Sequence, residues 1–279
     1  MIIIAIPICI LGLFGNAMVI SFISWQITKT RFTLYIMNTT AADFIVLLYQ
    51  YIYFMLFLVP NPVSSSISRF LELMYLLGCK SSFYILTAMC VERYSLVYFP
   101  IWYQHHRLKN LSIFCVMLWV ISGLVALVEY DACQPRFYAN LNEDSLSCKI
   151  SVTTQLIIEY LIFLPVMIFC TLAIVSRAQQ AQQTPPAALD FTIGVTVLLF
   201  VTFYSSIRFL HFLEYWFDTI YIPIFTISVL FDSISSSINP YIYFLIGGYI
   251  RKCGDPLEIL LGSALCYEEE MLERTQADQ

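Results

Sequence analysis

The sequence predicts an all-α fold, a bundle of seven helices that each cross a lipid bilayer. Three observations predict it. Of the 279 residues 59% are hydrophobic and only 12% are charged, where a soluble domain carries about 25% charged residues. Apolar runs near the length of a membrane span, about 20 residues, recur seven times. The last run carries Asn239-Pro240 followed by Tyr243, although proline removes a backbone hydrogen bond and polar atoms are penalised in lipid.

The first run, Met1 to Ser24, has no basic leader and no small-residue cleavage site, so it reads as a span rather than a signal peptide. Thr33 to Leu58 follows, with Asp43 near its middle. The third, Ser68 to Leu96, carries Lys80 and closes on Glu92-Arg93-Tyr94; the fourth, Leu111 to Tyr130, ends beside Glu129. Val152 to Val175 contains Pro165, Leu189 to Tyr215 contains Tyr204-Ser205-Ser206, and Tyr221 to Ile246 completes the set. Connections are short apart from Asp131 to Ser151. Residues 1–246 thus form one membrane unit and 247–279 a tail. Tyr249 to Leu261 reads as a short amphipathic helix on the inner leaflet, interrupted by Gly254 and Pro256. Cys253 and Cys266 stand where palmitoylation is expected.

Orientation follows from where lysine and arginine fall. Lys29, Arg31, Arg107, Lys109, Arg177, Arg251 and Lys252 share one side, which is therefore cytoplasmic. The amino terminus is expected outside and the carboxyl terminus in the cytosol. The net charge of -5 says little, since orientation depends on where the basic residues fall; the absence of a basic face speaks against a nucleic-acid partner. No HExxH, paired metal ligands or nucleophile–base spacing points to an enzyme or a metal centre, and His105, His106 and His211 do not converge. No internal repeat suggests a two-half transporter.

Gly15-Asn16, Ala42-Asp43, Glu92-Arg93-Tyr94, Trp119, Pro165 and Asn239-Pro240 fall in the first, second, third, fourth, fifth and seventh spans. In that order they resemble the rhodopsin-like G-protein-coupled receptors over essentially the whole chain. Pro100-Ile101-Trp102-Tyr103, Glu129-Tyr130 and Glu214-Tyr215-Trp216 further resemble the Mas and Mas-related receptors. The resemblance implies a plasma-membrane receptor with an extracellular peptide or small cationic amphiphile as ligand and a heterotrimeric G protein as partner. The alternative is a non-signalling decoy or accessory relative.

The resemblance also implies roles. Asn16, Ser82, Ser235 and Asn239 would surround Asp43, an oxygen-rich setting for a sodium ion; otherwise Asp43 is a protonated structural acid. No other cofactor is implied. Arg93 would pair with Glu92 at rest and swing toward the G protein on activation, flanked by Tyr94 and with Ile101 plugging into the partner. Tyr204 stands at the usual tryptophan toggle, Ser206 replaces the hinge proline, and Tyr243 belongs to the same switch. Ser68 replaces the usual third-span cysteine, leaving Cys133 and Cys148 as the replacement disulfide, worth about 3 kcal/mol for a loop of this size. Ala173 stands where a tyrosine is common.

On the ligand side, Tyr75 replaces the aspartate of amine receptors. Glu129 is the expected anchor, with Thr153 where some relatives carry a second acid, and Phe209 and Phe212 in the aromatic lining. Glu129 has a competing duty: Lys80, in mid-span, needs a carboxylate, and an internal pair with Glu159 or Glu129 is favoured over a ligand contact.

Overall fold

The computed structural model describes residues 2–25, 30–58, 65–106, 109–133, 146–180, 187–217 and 222–250. All seven spans are helical. They are α1 (Ile2–Trp25), α2 (Arg31–Leu58), α3 (Ser65–Tyr98), α5 (Leu111–Ala132), the compound fifth span, α8 (Ala187–Phe217) and α9 (Ile222–Ile250). A short helix, α4 (Pro100–His106), follows α3. The fifth span is α6 (Leu146–Ile158), a π-helical turn over Glu159–Phe163, and α7 (Leu164–Gln180).

The π turn has a local cause. Pro165, second residue of α7, offers no N–H to the carbonyl four residues back, which disturbs the ladder one turn upstream. The Leu164 N–H reaches the Glu159 carbonyl, five residues back.

Each span packs on the next along the chain, α9 closes on α1, and α3 runs inside the ring against α2, α5 and α7. At 34 residues, α3 is about 50 Å long, well beyond the bilayer core. It therefore outruns the expected Ser68–Leu96 at both ends. The fifth span likewise begins at Leu146 rather than Val152. The tail helix and Cys253 and Cys266 lie outside the described residues.

Two glycines permit close helix approach. A Cβ on Gly12 would collide with the Ser237 hydroxyl and Leu47, and one on Gly78 would come within 3.0 Å of the Ala42 carbonyl oxygen. Large apolar side chains face outward, notably along α5 at Ile113, Val116, Val120 and Leu124. Asn16, Asp43, Lys80, Arg93, Glu129 and Glu159 are buried. This inversion is what lipid as a solvent demands. Among the described residues, five helical stretches are long and apolar enough to cross a membrane. In α8 the apolar stretch Thr192–Tyr204 lies between Asp190 and Arg208.

Candidate functional site

Three polar clusters occupy the bundle at successive depths, called outer, middle and inner by the orientation expected from the lysines and arginines. The outermost holds four charges from four spans. Lys80 of α3 points its Nζ at Glu159 Oε1 (2.8 Å) and at Glu129 Oε2 (3.2 Å). Arg208 of α8 directs Nε to Glu159 Oε2 (3.1 Å) and Nη1 to Glu129 Oε1 (3.4 Å). The side chains of Lys80 and Glu159 are only 1% and 2% exposed. Burying such ions is tolerable only where opposite charges and hydrogen bonds compensate, and here two cations meet two carboxylates. The expected internal partner for Lys80 is present, and both expected candidates serve. Glu129 is consequently engaged within the bundle.

The other ligand-side residues do not converge on Glu129. Tyr75 donates its hydroxyl to Asp232 of α9 and stacks on Tyr49 of α2 (4.7 Å). Thr153 accepts a hydrogen bond from the Trp216 indole (2.8 Å), and the Phe212 ring lies 6.2 Å from that of Trp216. Phe209 is 50% exposed. Thr153 and Phe212 therefore meet through Trp216, near the outer end of α8. The expected disulfide is formed: Cys133 and Cys148 are bonded, with Cα atoms 4.6 Å apart. It joins the end of α5 to the start of α6.

The middle cluster is centred on Asp43. Ser82 donates to its Oδ1 (3.1 Å) and Asn239 to its Oδ2 (2.8 Å). On α9, Ser236 also lies close enough to stabilise the Asp43 carboxylate; the expected Ser235 stands one position before it, and one helical position turns a side chain by about 100°. Asn16 is also one step removed. It donates to the carbonyls of Gly12 (2.8 Å) and Ser236 (3.0 Å), leaving its own buried Oδ1 without a partner.

At the inner end the expected resting pair is corrected. Arg93 Nε bonds Asp190 Oδ1 of α8 at 2.6 Å, and its guanidinium lies over the Phe32 ring, 5.3 Å from the centroid. Glu92 turns the other way, bonded to Arg31 Nε, Tyr35 hydroxyl and Tyr103 hydroxyl, each at 2.6 Å. Consecutive helical residues do not face one another, so Glu92 ties α2, α3 and α4 together while Arg93 faces inward. Asp190 was not read from the sequence. Its signal is an acid in the first turn of the sixth span, across the bundle from the arginine that closes the third.

Tyr94 stacks on Tyr98 (4.8 Å), whose hydroxyl donates to the Ala173 carbonyl (2.8 Å). Ile101 stands 69% exposed on α4. Tyr204 is buried in a stack with Phe83 (4.8 Å) and Phe200 (5.0 Å), and Tyr243 is buried in the same apolar core. Ser206 donates back to the Thr202 carbonyl (2.7 Å), the bend-promoting bond expected where the proline is missing.

Residues 15–243 match the model of the 7 transmembrane receptor (rhodopsin family). The chain is 31% identical to rat proto-oncogene Mas over 275 residues, 95% of this chain and 83% of that protein. It is 29% identical to human Mas-related G-protein coupled receptor member X1 over 266 residues, 92% of this chain and 80% of that receptor. Against member D of Macaca fascicularis it is 32% identical over 279 residues, 94% of this chain and 84% of the relative. With a seven-helix bundle, buried charge clusters and these relatives over most of its length, the chain belongs to the rhodopsin family of G-protein-coupled receptors, among its Mas and Mas-related members.

Proposed function

We propose that this multi-pass plasma-membrane receptor binds an extracellular peptide or small cationic amphiphile and activates a heterotrimeric G protein, with its amino terminus outside and its carboxyl terminus in the cytosol. The observation that carries the reading is the Arg93–Asp190 pair. It joins the third and sixth spans at the end where a transducer docks, and in a low-dielectric bundle it holds them together until a competing state forms. Opening frees Arg93 for the G protein, with Ile101 of α4 as the neighbouring apolar contact. Glu129 anchors the basic group of the ligand, and Thr153, Phe212 and Trp216, joined to one another nearer the end of α8, form a separate contact surface for the rest of it.

Sodium is the small cation this reading assigns to Asp43. The fit rests on the oxygen atoms of Asp43, Ser82 and Ser236 and on the unpartnered Asn16 Oδ1 next to Ser236.

Two variants test the reading in cells screened with a peptide and amine library. Arg93→Ala abolishes ligand-stimulated nucleotide exchange while surface expression holds. Glu129→Gln weakens binding of cationic ligands by about 1.5–3 kcal/mol, the range for a hydrogen bond to a charged group, and Thr153→Asp strengthens it. A well-expressed parent receptor that drives no exchange on any Gα subunit would instead support the accessory role.

A further inference from the structure

The outer quartet carries two positive and two negative groups. A ligand cation reaching Glu129 would add a third positive charge to a buried, neutral site. In a low dielectric such an excess is costly, so a resident cation withdraws. The two residents are not equivalent. Lys80 is 1% exposed and holds its carboxylates at 2.8 and 3.2 Å. Arg208 is 10% exposed, holds the same two carboxylates at 3.1 and 3.4 Å, and has a buried Nη2 with no hydrogen-bond partner. Its weaker contact is the one to Glu129. Arg208 is the cation that leaves.

Arg208 lies on α8, the helix whose other end Arg93 holds through Asp190. The apolar stretch Thr192–Tyr204 lies between the two attachment points. Both ends of this helix are thus fastened by ion pairs, one to α3 and one to α5 and the π turn.

We infer that Arg208 is a tethered competitor of the ligand. It occupies Glu129 and Glu159, restrains the outer end of the sixth span, and is displaced from Glu129 by the ligand's cation. The inference rests on Glu129 as the ligand anchor, but its autoinhibitory half stands without any ligand. Removing Arg208 should shift the resting population toward the open state, because each ion pair adds to the same closed-versus-open equilibrium.

The test is ligand-free. Full-length receptor in lipid nanodiscs is prepared as Arg208→Gln and as the charge-balanced double variant Arg208→Gln, Glu159→Gln, in which Lys80 and Glu129 remain a pair. Asp190→Asn, which breaks the inner fastening, is the reference. Spin-label distances between the inner ends of the third and sixth spans are measured, with basal nucleotide exchange over a panel of Gα subunits.

The expected result is a longer inner-end distance in both Arg208 variants. A rise in the open population of at least about fivefold is expected, the lower end of ordinary allosteric coupling, with a further rise when Asp190→Asn is added. Glu129→Gln alone should open the helix less, since Glu159 still holds Arg208. An unchanged distance in the folded double variant overturns the proposal, whatever the exchange assay reads. Failure of the anchor reading looks different: opening persists in the Arg208 variants, while Glu129→Gln leaves every cationic ligand's affinity unaltered.

Discussion

The quartet of Lys80, Arg208, Glu129 and Glu159 and the carboxylate of Asp43 lie in the same apolar bundle, and they are stabilised differently. In the quartet every ion faces ions of opposite sign. The described partners of Asp43 are neutral donors, two serines and an asparagine. Opposite charges make a stiff arrangement in which deleting one member strands another, a loss measured in several kcal/mol. Neutral donors make a forgiving one, open to a proton or a small cation. The contrast suggests a division of labour: the outer cluster holds four spans together at rest through charges that must be replaced if one leaves, and the middle cluster is held by neutral donors alone.

The largest effect should come from Lys80→Met. Two carboxylates would remain against Arg208 alone, and stability should fall by about 3–5 kcal/mol, read as a depressed thermal midpoint of the purified receptor. Adding Glu159→Gln should recover most of the loss; if it does not, charge balance is not what holds the quartet. Asp43→Asn tests the other half of the comparison. It should cost about 1.5 kcal/mol, the low end for hydrogen bonds to a charged group, and should erase any difference in thermal midpoint between sodium and potassium buffers. A loss as large as that of Lys80→Met would break the comparison. The smallest effect belongs to Ser82→Ala, which removes one of several donors and should cost about 0.5–1 kcal/mol in the same melting assay.

What the sequence disclosed depended on how far apart the partners are along the chain. The spans were legible because lipid imposes an apolar run of fixed length. The disulfide was legible through the resemblance, which puts Ser68 at the usual third-span cysteine and leaves Cys133 and Cys148, 15 residues apart, as the replacement pair. The need of Lys80 for a carboxylate was legible from its mid-span position, but the entry of Arg208 into the same cluster was not, since that depends on how α8 turns against α5. The partner of Arg93 was misread for a related reason: Glu92 is adjacent, whereas Asp190 is 97 residues away and is joined to it only by tertiary packing. Tyr75 was read as facing a ligand. It faces Asp232, a residue hidden in a serine-rich stretch of the last span.

The π turn at Glu159–Phe163 carries a consequence for how this lineage can vary. Such a turn holds one residue more than the α-helix it interrupts. The Leu164 N–H closes on Glu159 over five residues where an α-helix closes over four, so deleting any one of Tyr160, Leu161 or Ile162 would leave an ordinary helical turn with Glu159 still facing Lys80 and Arg208. A residue lost from the regular helix between the turn and Cys148 has no such outlet: it would rotate everything before it by about 100° relative to Glu159. The turn is therefore the place where this span can change length by one residue and keep the quartet.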